Sequence, residues 1–321
     1  MPGSRWKRRT VLGTALAVLA AALPAGRAAA TDVRTVRVSG SPTALAVNDF
    51  AGTAYAGCAD GSVYLIDGRT GQVGGAVQIG STVTDLAVHG SAGRVYASNS
   101  RAGTVAVLDG WTGRVLTTIA AGAGAAAVGV DELTGAVYAG SSTTGAVSIL
   151  DGVAGAVRQE LAGPTGSLDG LSIDPGRRLA YFASPDTASV EVLDLSTGTF
   201  TGSIRVGKAP ATVCVHRASN TIYVANSGIH HLSVLDGGTA TETATILLDS
   251  AASAVAVHQR SGSVYSNGGP NGLIRIDGTR GTRSGELALG SNPGAVAVDQ
   301  RTHTVYVADP VQHAVHLVTG F

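Results

Sequence analysis

Along most of this chain apolar and polar residues alternate with a period of two. Short runs rich in Val, Ile, Leu and Tyr are broken by Gly, Asn, Asp and Ser. That alternation predicts half-buried strands separated by tight turns; helices would need apolar residues at three- and four-residue spacing. The runs also recur. Tyr55, Tyr96, Tyr138, Tyr181, Tyr223, Tyr265 and Tyr306 stand 41 to 43 residues apart. About ten residues before each tyrosine is an apolar-x-apolar triplet, from Leu45/Val47 to Val296/Val298. About twelve residues after it comes an aspartate (Asp67, Asp109, Asp151, Asp194, Asp236, Asp277), replaced by Thr319 in the last copy. Glycine follows every one of these aspartates except Asp194. Asp-Gly after an apolar run predicts a hairpin turn in which the glycine takes a positive φ.

A repeat of this length with four short strands per unit predicts an all-β, seven-bladed β-propeller of four-stranded antiparallel blades. In the second unit the strands are expected at 83–88, 94–98, 104–108 and 115–119. The seventh unit ends at Phe321, too early for a fourth strand. Val33–Val38 matches the outermost strands of other units and is expected to close the last blade, covering an edge that would otherwise be unpaired. Hydrophobic residues make up 44% of the chain but aromatics only 4%, so valine and alanine must fill the space between blades. The repeating tyrosine is expected to pack its ring there and send its hydroxyl to a polar partner.

Residues 1–30 read as an export segment outside the fold. Arg5, Lys7, Arg8 and Arg9 precede the apolar run Val11–Leu23, and Ala28-Ala29-Ala30 offers a cleavage site before Thr31. The Arg8-Arg9-Thr10-Val11-Leu12 run resembles a twin-arginine signal; the general secretory route is the alternative. The expectation is a secreted, extracytoplasmic single domain over 31–321, monomeric and without a membrane span. Removing 1–30 takes away five basic residues and no acidic one. That leaves 17 basic against 22 acidic, a net of −5, which argues against a nucleic-acid partner. Only Cys58 and Cys214 are present, on units one and five. A disulfide between them is not expected, but an exported pair leaves it open.

Catalytic signatures are missing: there is no G-x-S-x-G, no calcium loop, and no phosphate loop in strand–turn–helix context. No cofactor is expected. His89, His216 and His258 share one repeat position with Asn48, Asp131, Asp174 and Asp299, which reads as a turn residue bonding its own backbone. Trp111 sits in an Asp-Gly turn on the opposite face from the loops that enter the inner strands. The candidate binding residues lie on the entry side: Asn99, Arg101, Asp186, Lys208, Asn226, His230, His231, Asn267, Asp309 and His313, with Asp60 beside them. Asn99, Asn226 and Asp309 stand three residues past their tyrosines and Asn267 two. Each can be a turn cap, or part of a polar ring around the channel mouth.

The stretches Thr221–Asn226 and Thr304–Asp309, the Ala-Val-Ala-Val runs at 254–257 and 295–298 and the Leu-Asp-Gly turns resemble the Tyr-Val-Thr-Asn β-propeller repeat family, over about residues 33–321. The family resembles surface-layer and YncE-like exported proteins. Related propellers include a streptogramin-type lyase, lactonases and amine dehydrogenase subunits, but no motif here carries their catalytic residues over. Unit lengths are uniform and no loop is enlarged into a lid. The leading expectation is therefore a binding scaffold that engages a protein or a cell-envelope component through one face. The alternatives are a metal-assisted hydrolase or lyase using His230, His231 or His313, and, third, a redox-system subunit.

Overall fold

The computed structural model describes residues 30–164, 166–269 and 271–321; the expected export segment lies, save Ala30, outside them. The described residues form seven four-stranded antiparallel sheets and no helix. Each sheet is one blade. The inner strands are Pro42–Asn48, Asp85–His89, Ala125–Val130, Gly170–Asp174, Pro210–His216, Val255–Val257 and Val296–Val298. Each touches the next in chain order and the last touches the first, so the blades form a closed ring. In the second blade the observed strands, Asp85–His89, Arg94–Asn99, Thr104–Asp109 and Val115–Ala120, agree with the alternation to within two residues. Val83 falls in the connecting loop, where its N–H donates to the Cys58 carbonyl of the blade before.

The chain's own ends close the ring. Asp32–Arg37 pairs antiparallel with Ala314–Thr319, Val36 opposite Val315, as the outermost strand of blade seven. Val36 and Val38 are buried among residues of blades seven and one. Both cysteines are free. Burial pushes the Cys58 thiol up to about 11 and raises that of Cys214.

The seven repeating tyrosines are all buried, and the hydroxyls of four of them explain four of the glycines. Tyr55 donates to the carbonyl of Gly110 in the next blade (2.6 Å), and Tyr223 to that of Gly278 (3.0 Å). Tyr96 lies against Gly152, and Tyr306 crosses the closure to Gly68. A methyl group added at Gly68 would overlap the Tyr306 hydroxyl; one at Gly110 would come within 2.8 Å of Tyr55. So the glycine after each aspartate is not there for a positive φ, as the sequence suggested. None of these glycines has one; the left-handed residue sits four past the aspartate, at Gly71, Gly113, Gly155, Gly198, Ala240 and Gly281. The aspartate Oδ1 accepts the N–H groups two and three residues on, and the turn closes around it.

The exceptions are informative. Blade four carries Leu195 instead of glycine, and Arg178 stands beside Tyr138 of the blade before while bonding the Leu195 carbonyl and Asp131. In blade seven, where the chain ends, Tyr265 meets His303 (2.8 Å) and the Phe321 carbonyl (3.2 Å). The Tyr181 hydroxyl finds no partner, and Asn220 occupies the space over Gly237.

Gly68→Ala is expected to cost about 1–3 kcal/mol through overpacking, far more than an ordinary Gly→Ala exchange. Tyr306→Phe removes the offending hydroxyl. A double-mutant cycle by denaturant unfolding should therefore show favourable coupling between the two changes; additive effects would contradict the seam described above.

Candidate functional site

Strand direction alternates within each blade. The loops entering the inner strands and the loops following the tyrosine strands therefore share one face, the entry face. The other loops form the exit face. At the entry end the starts of the inner strands surround a channel mouth of about 310 Å3. Its walls are largely backbone and small side chains, such as Ala44, Gly170, Ala211, Ala254 and Gly294, with the hydroxyls of Thr43, Thr84, Thr212 and Ser253. Three of these hydroxyls are already committed. Thr43 donates to the Val83 carbonyl (2.7 Å), Thr212 to the Ser253 carbonyl (2.6 Å), and Thr84 to the Ser100 hydroxyl (3.0 Å). The first two stitch neighbouring blades together at the mouth.

Two carboxylates line the same space, Asp85 from blade two and Asp169 from blade four. The Asp85 oxygens accept the N–H of Leu86 (2.8 Å) and of Val128 in blade three (3.0 Å). These bonds favour the charged form, yet burial outweighs them and pushes the carboxyl up to about 6. Asp169 is more exposed. Burial and then the nearby charge of Asp186 raise it above the ordinary carboxylate range. A cation entering the mouth would meet two acids that lack a cationic partner among the described residues.

None of the ten residues expected at this site lines the cavity. Four are buried and serve the fold. Asn99 Oδ1 accepts the Ala102 N–H, Asp309 Oδ1 accepts those of Val311 and Gln312, and Asn226 donates to His231 O and Ser233 Oγ. Asn267, one residue out of step, stands just past the strand Ser263–Ser266. There it accepts the Ser253 and Ala254 N–H groups and donates to the Pro293 carbonyl of blade seven. Arg101, Asp186, Lys208, His230 and His313 are exposed and His231 is half-buried; Lys208 stands on the loop entering the fifth inner strand and the others on or beside the loops after the tyrosine strands. Asp186 is tied to the mouth, through its charge on Asp169 and by accepting the Ser167 N–H (3.1 Å). His230 and His231 stand on blade five and His313 on blade seven, with blade six between. Among the described residues no three His, Cys, Asp or Glu side chains gather into a metal-ligating group.

The repeat itself held the missed signal. Eleven residues before the seven tyrosines stand Ala44, Asp85, Ala127, Gly170, Thr212, Ala254 and Ala295, so Asp85 is the one charged residue in a column of small ones. Asp169 is likewise alone in the preceding column. At the exit end the turn reading of the histidine position holds. Asn48, Asp131 and Asp299 cap their turns, and His216 and His258 bond Ser219 and Ser261 while reaching the Gln259 and Gln300 carbonyls of the next blade. Gln259 and Gln300 bridge adjacent inner strands there, and Asp49 accepts the Gln300 N–H (2.8 Å). Burial pushes Asp49 up to about 6.

The unfolded chain ionises its aspartates near 3.8, below folded Asp85. The contribution of Asp85 to stability should therefore fall as pH rises from about 4 through 6, then level off. Asp85→Asn cannot ionise. Its stability relative to wild type should improve by about 2 kcal/mol between pH 4 and 7, measured by urea unfolding. A pH-independent difference would contradict the assignment.

In comparisons with known proteins, no family model matches the chain and no curated protein matches it.

Proposed function

We propose that this chain is an exported binding propeller of the Tyr-Val-Thr-Asn repeat type. It acts as a monomer and engages a protein or cell-envelope partner through its entry face. The partner places one cationic group, an ammonium or guanidinium, in the channel mouth. One observation carries the reading: Asp85 and Asp169 are both held above the usual carboxylate range in a cavity otherwise lined by backbone, small side chains and committed hydroxyls. Such acids gain from a cation, because it replaces the solvation that burial removed. The exposed Arg101, Asp186, Lys208, His230 and His313 surround the mouth at larger radius and supply polar contacts at its rim. The export segment 1–30 supports an extracytoplasmic location. No feature of the mouth adds to the metal-assisted alternative.

Titration of residues 31–321 with methylguanidinium and methylammonium, by calorimetry or chemical-shift perturbation, tests this. Binding should be saturable and about tenfold tighter at pH 7 than at pH 5, because Asp85 is protonated at the lower pH. Asp85→Asn with Asp169→Asn should abolish it. Binding that survives both substitutions, or ignores pH, would place the cation elsewhere.

A further inference from the structure

Where blades two and three meet, the entry face holds a second cavity, of about 500 Å3. Ser100 and Arg101 border it from the loop after the tyrosine strand of blade two. Gly122-Ala123-Gly124, the loop entering the inner strand of blade three, borders it from the other side, with Thr143. In contrast to the mouth, no carboxylate is among its lining residues. Arg101 is exposed and has no ion-pair partner among the described residues.

The loop of blade three has its acceptors taken and its donors free. Gly122 O accepts the Ala125 N–H (3.3 Å), Ala123 O the Ser141 hydroxyl (2.7 Å) and Gly124 O the Ser142 N–H (2.8 Å). The N–H groups of Gly122, Ala123 and Gly124 donate to no other described residue. φ is positive at Gly122 (98°) and Gly124 (71°) but not at Ala123 between them. Alternation of this kind turns successive N–H groups toward one side, and the concavity so formed holds anions. Ser100 adds a hydroxyl. Its oxygen accepts from Thr84 Oγ1 (3.0 Å), so its own proton has no acceptor among the described residues.

One guanidinium facing no carboxylate matches a singly charged anion. A carboxylate fits, since its two oxygens take two guanidinium N–H groups side by side. A phosphate dianion would keep one charge uncompensated. The cavity is also tied to the mouth. Thr84 and Asp85 line the mouth at the start of one strand, and Thr84 both donates to the Ser100 hydroxyl and accepts the Ser100 N–H (3.1 Å). A cationic group at Asp85 and an anionic group at Arg101 therefore lie within the span of one small ligand.

We infer that Arg101, Ser100 and the Gly122–Gly124 loop bind a carboxylate, and that the ligand of the entry face is a zwitterion, an amino acid or a peptide bearing both charges. The second half rests on the reading of the mouth as a cation site; the carboxylate pocket stands on its own residues.

The test uses residues 31–321, which contain every strand of the ring. Methylammonium, acetate, inorganic phosphate and the series β-alanine, γ-aminobutyrate and ε-aminocaproate are titrated in turn, followed by calorimetry and amide chemical shifts. Acetate should move the amide signals of Gly122, Ala123 and Gly124, and Arg101→Gln should abolish that response. At least one amino carboxylate should bind about tenfold tighter than methylammonium, because its second contact forms within the complex. Arg101→Gln should remove this advantage. Arg101 is exposed, so an unchanged melting temperature serves as the folding control. Failure of methylammonium to bind would overturn the mouth reading and the zwitterion with it, while an acetate response lost in Arg101→Gln would still support the carboxylate pocket. Acetate that leaves the three amides unmoved would overturn that pocket, and phosphate that binds there more tightly than acetate would assign it to phosphate. Amino carboxylates that never bind tighter than a binding methylammonium, or keep their advantage in Arg101→Gln, would overturn the joint site.

Discussion

The contact on which the ring depends is the approach of a buried tyrosine to the glycine turn of the next blade, made at four of the seven seams. Blades are thin sheets that cannot bury both faces alone. Valine and alanine fill the gap between them, but such packing is tolerant of sliding. A tyrosine hydroxyl packed over a glycine that admits no side chain, and at two seams donating to that glycine's carbonyl, sets where one blade stands on its neighbour. Tyr306 packs over Gly68 in the same way across the junction of the last blade and the first, where Asp32–Arg37 also completes the sheet. Continuity of the ring therefore comes from the same contact, used repeatedly, together with one strand borrowed from the other end of the chain.

Much of this is legible in the sequence alone. The tyrosine period, the alternating runs and the short seventh unit led to seven blades and to the closing strand. What was misread was the reason for a residue. Asp-Gly looked like a turn dipeptide because local rules explain glycine by φ. The cause is a side chain from a different blade, 55 residues earlier, which no local rule contains. Asn267 shows the limit in another form: a one-residue offset from Asn99 and Asn226 is small in sequence, yet it gives Asn267 a different set of partners, at Ser253, Ala254 and Pro293.

The candidate site was less legible for a related reason. Polar residues in loops attract notice, and several chosen on that ground, Asn99, Asn226 and Asp309 among them, turned out to satisfy their own turns. Asp85 and Asp169 sit at the start of inner strands and look unremarkable one at a time. Their setting appears only when the ring brings blades two and four to one channel. The two faces then divide the chemistry. The entry end holds Asp85 and Asp169 at a narrow mouth, and the exit end holds exposed apolar side chains on the loops of blades one to three. A rigid ring keeps both in fixed relation, and the seams supply that rigidity.

The most direct test of this account removes the closure. Residues 31–321 and 39–321 would be compared by calorimetric unfolding. The account predicts that the shorter chain melts at a much lower temperature, or loses its single cooperative transition, because blade seven is left with an open edge beside the Tyr306 seam. An unchanged, fully cooperative transition in the shorter chain would contradict a ring held closed by its first strand.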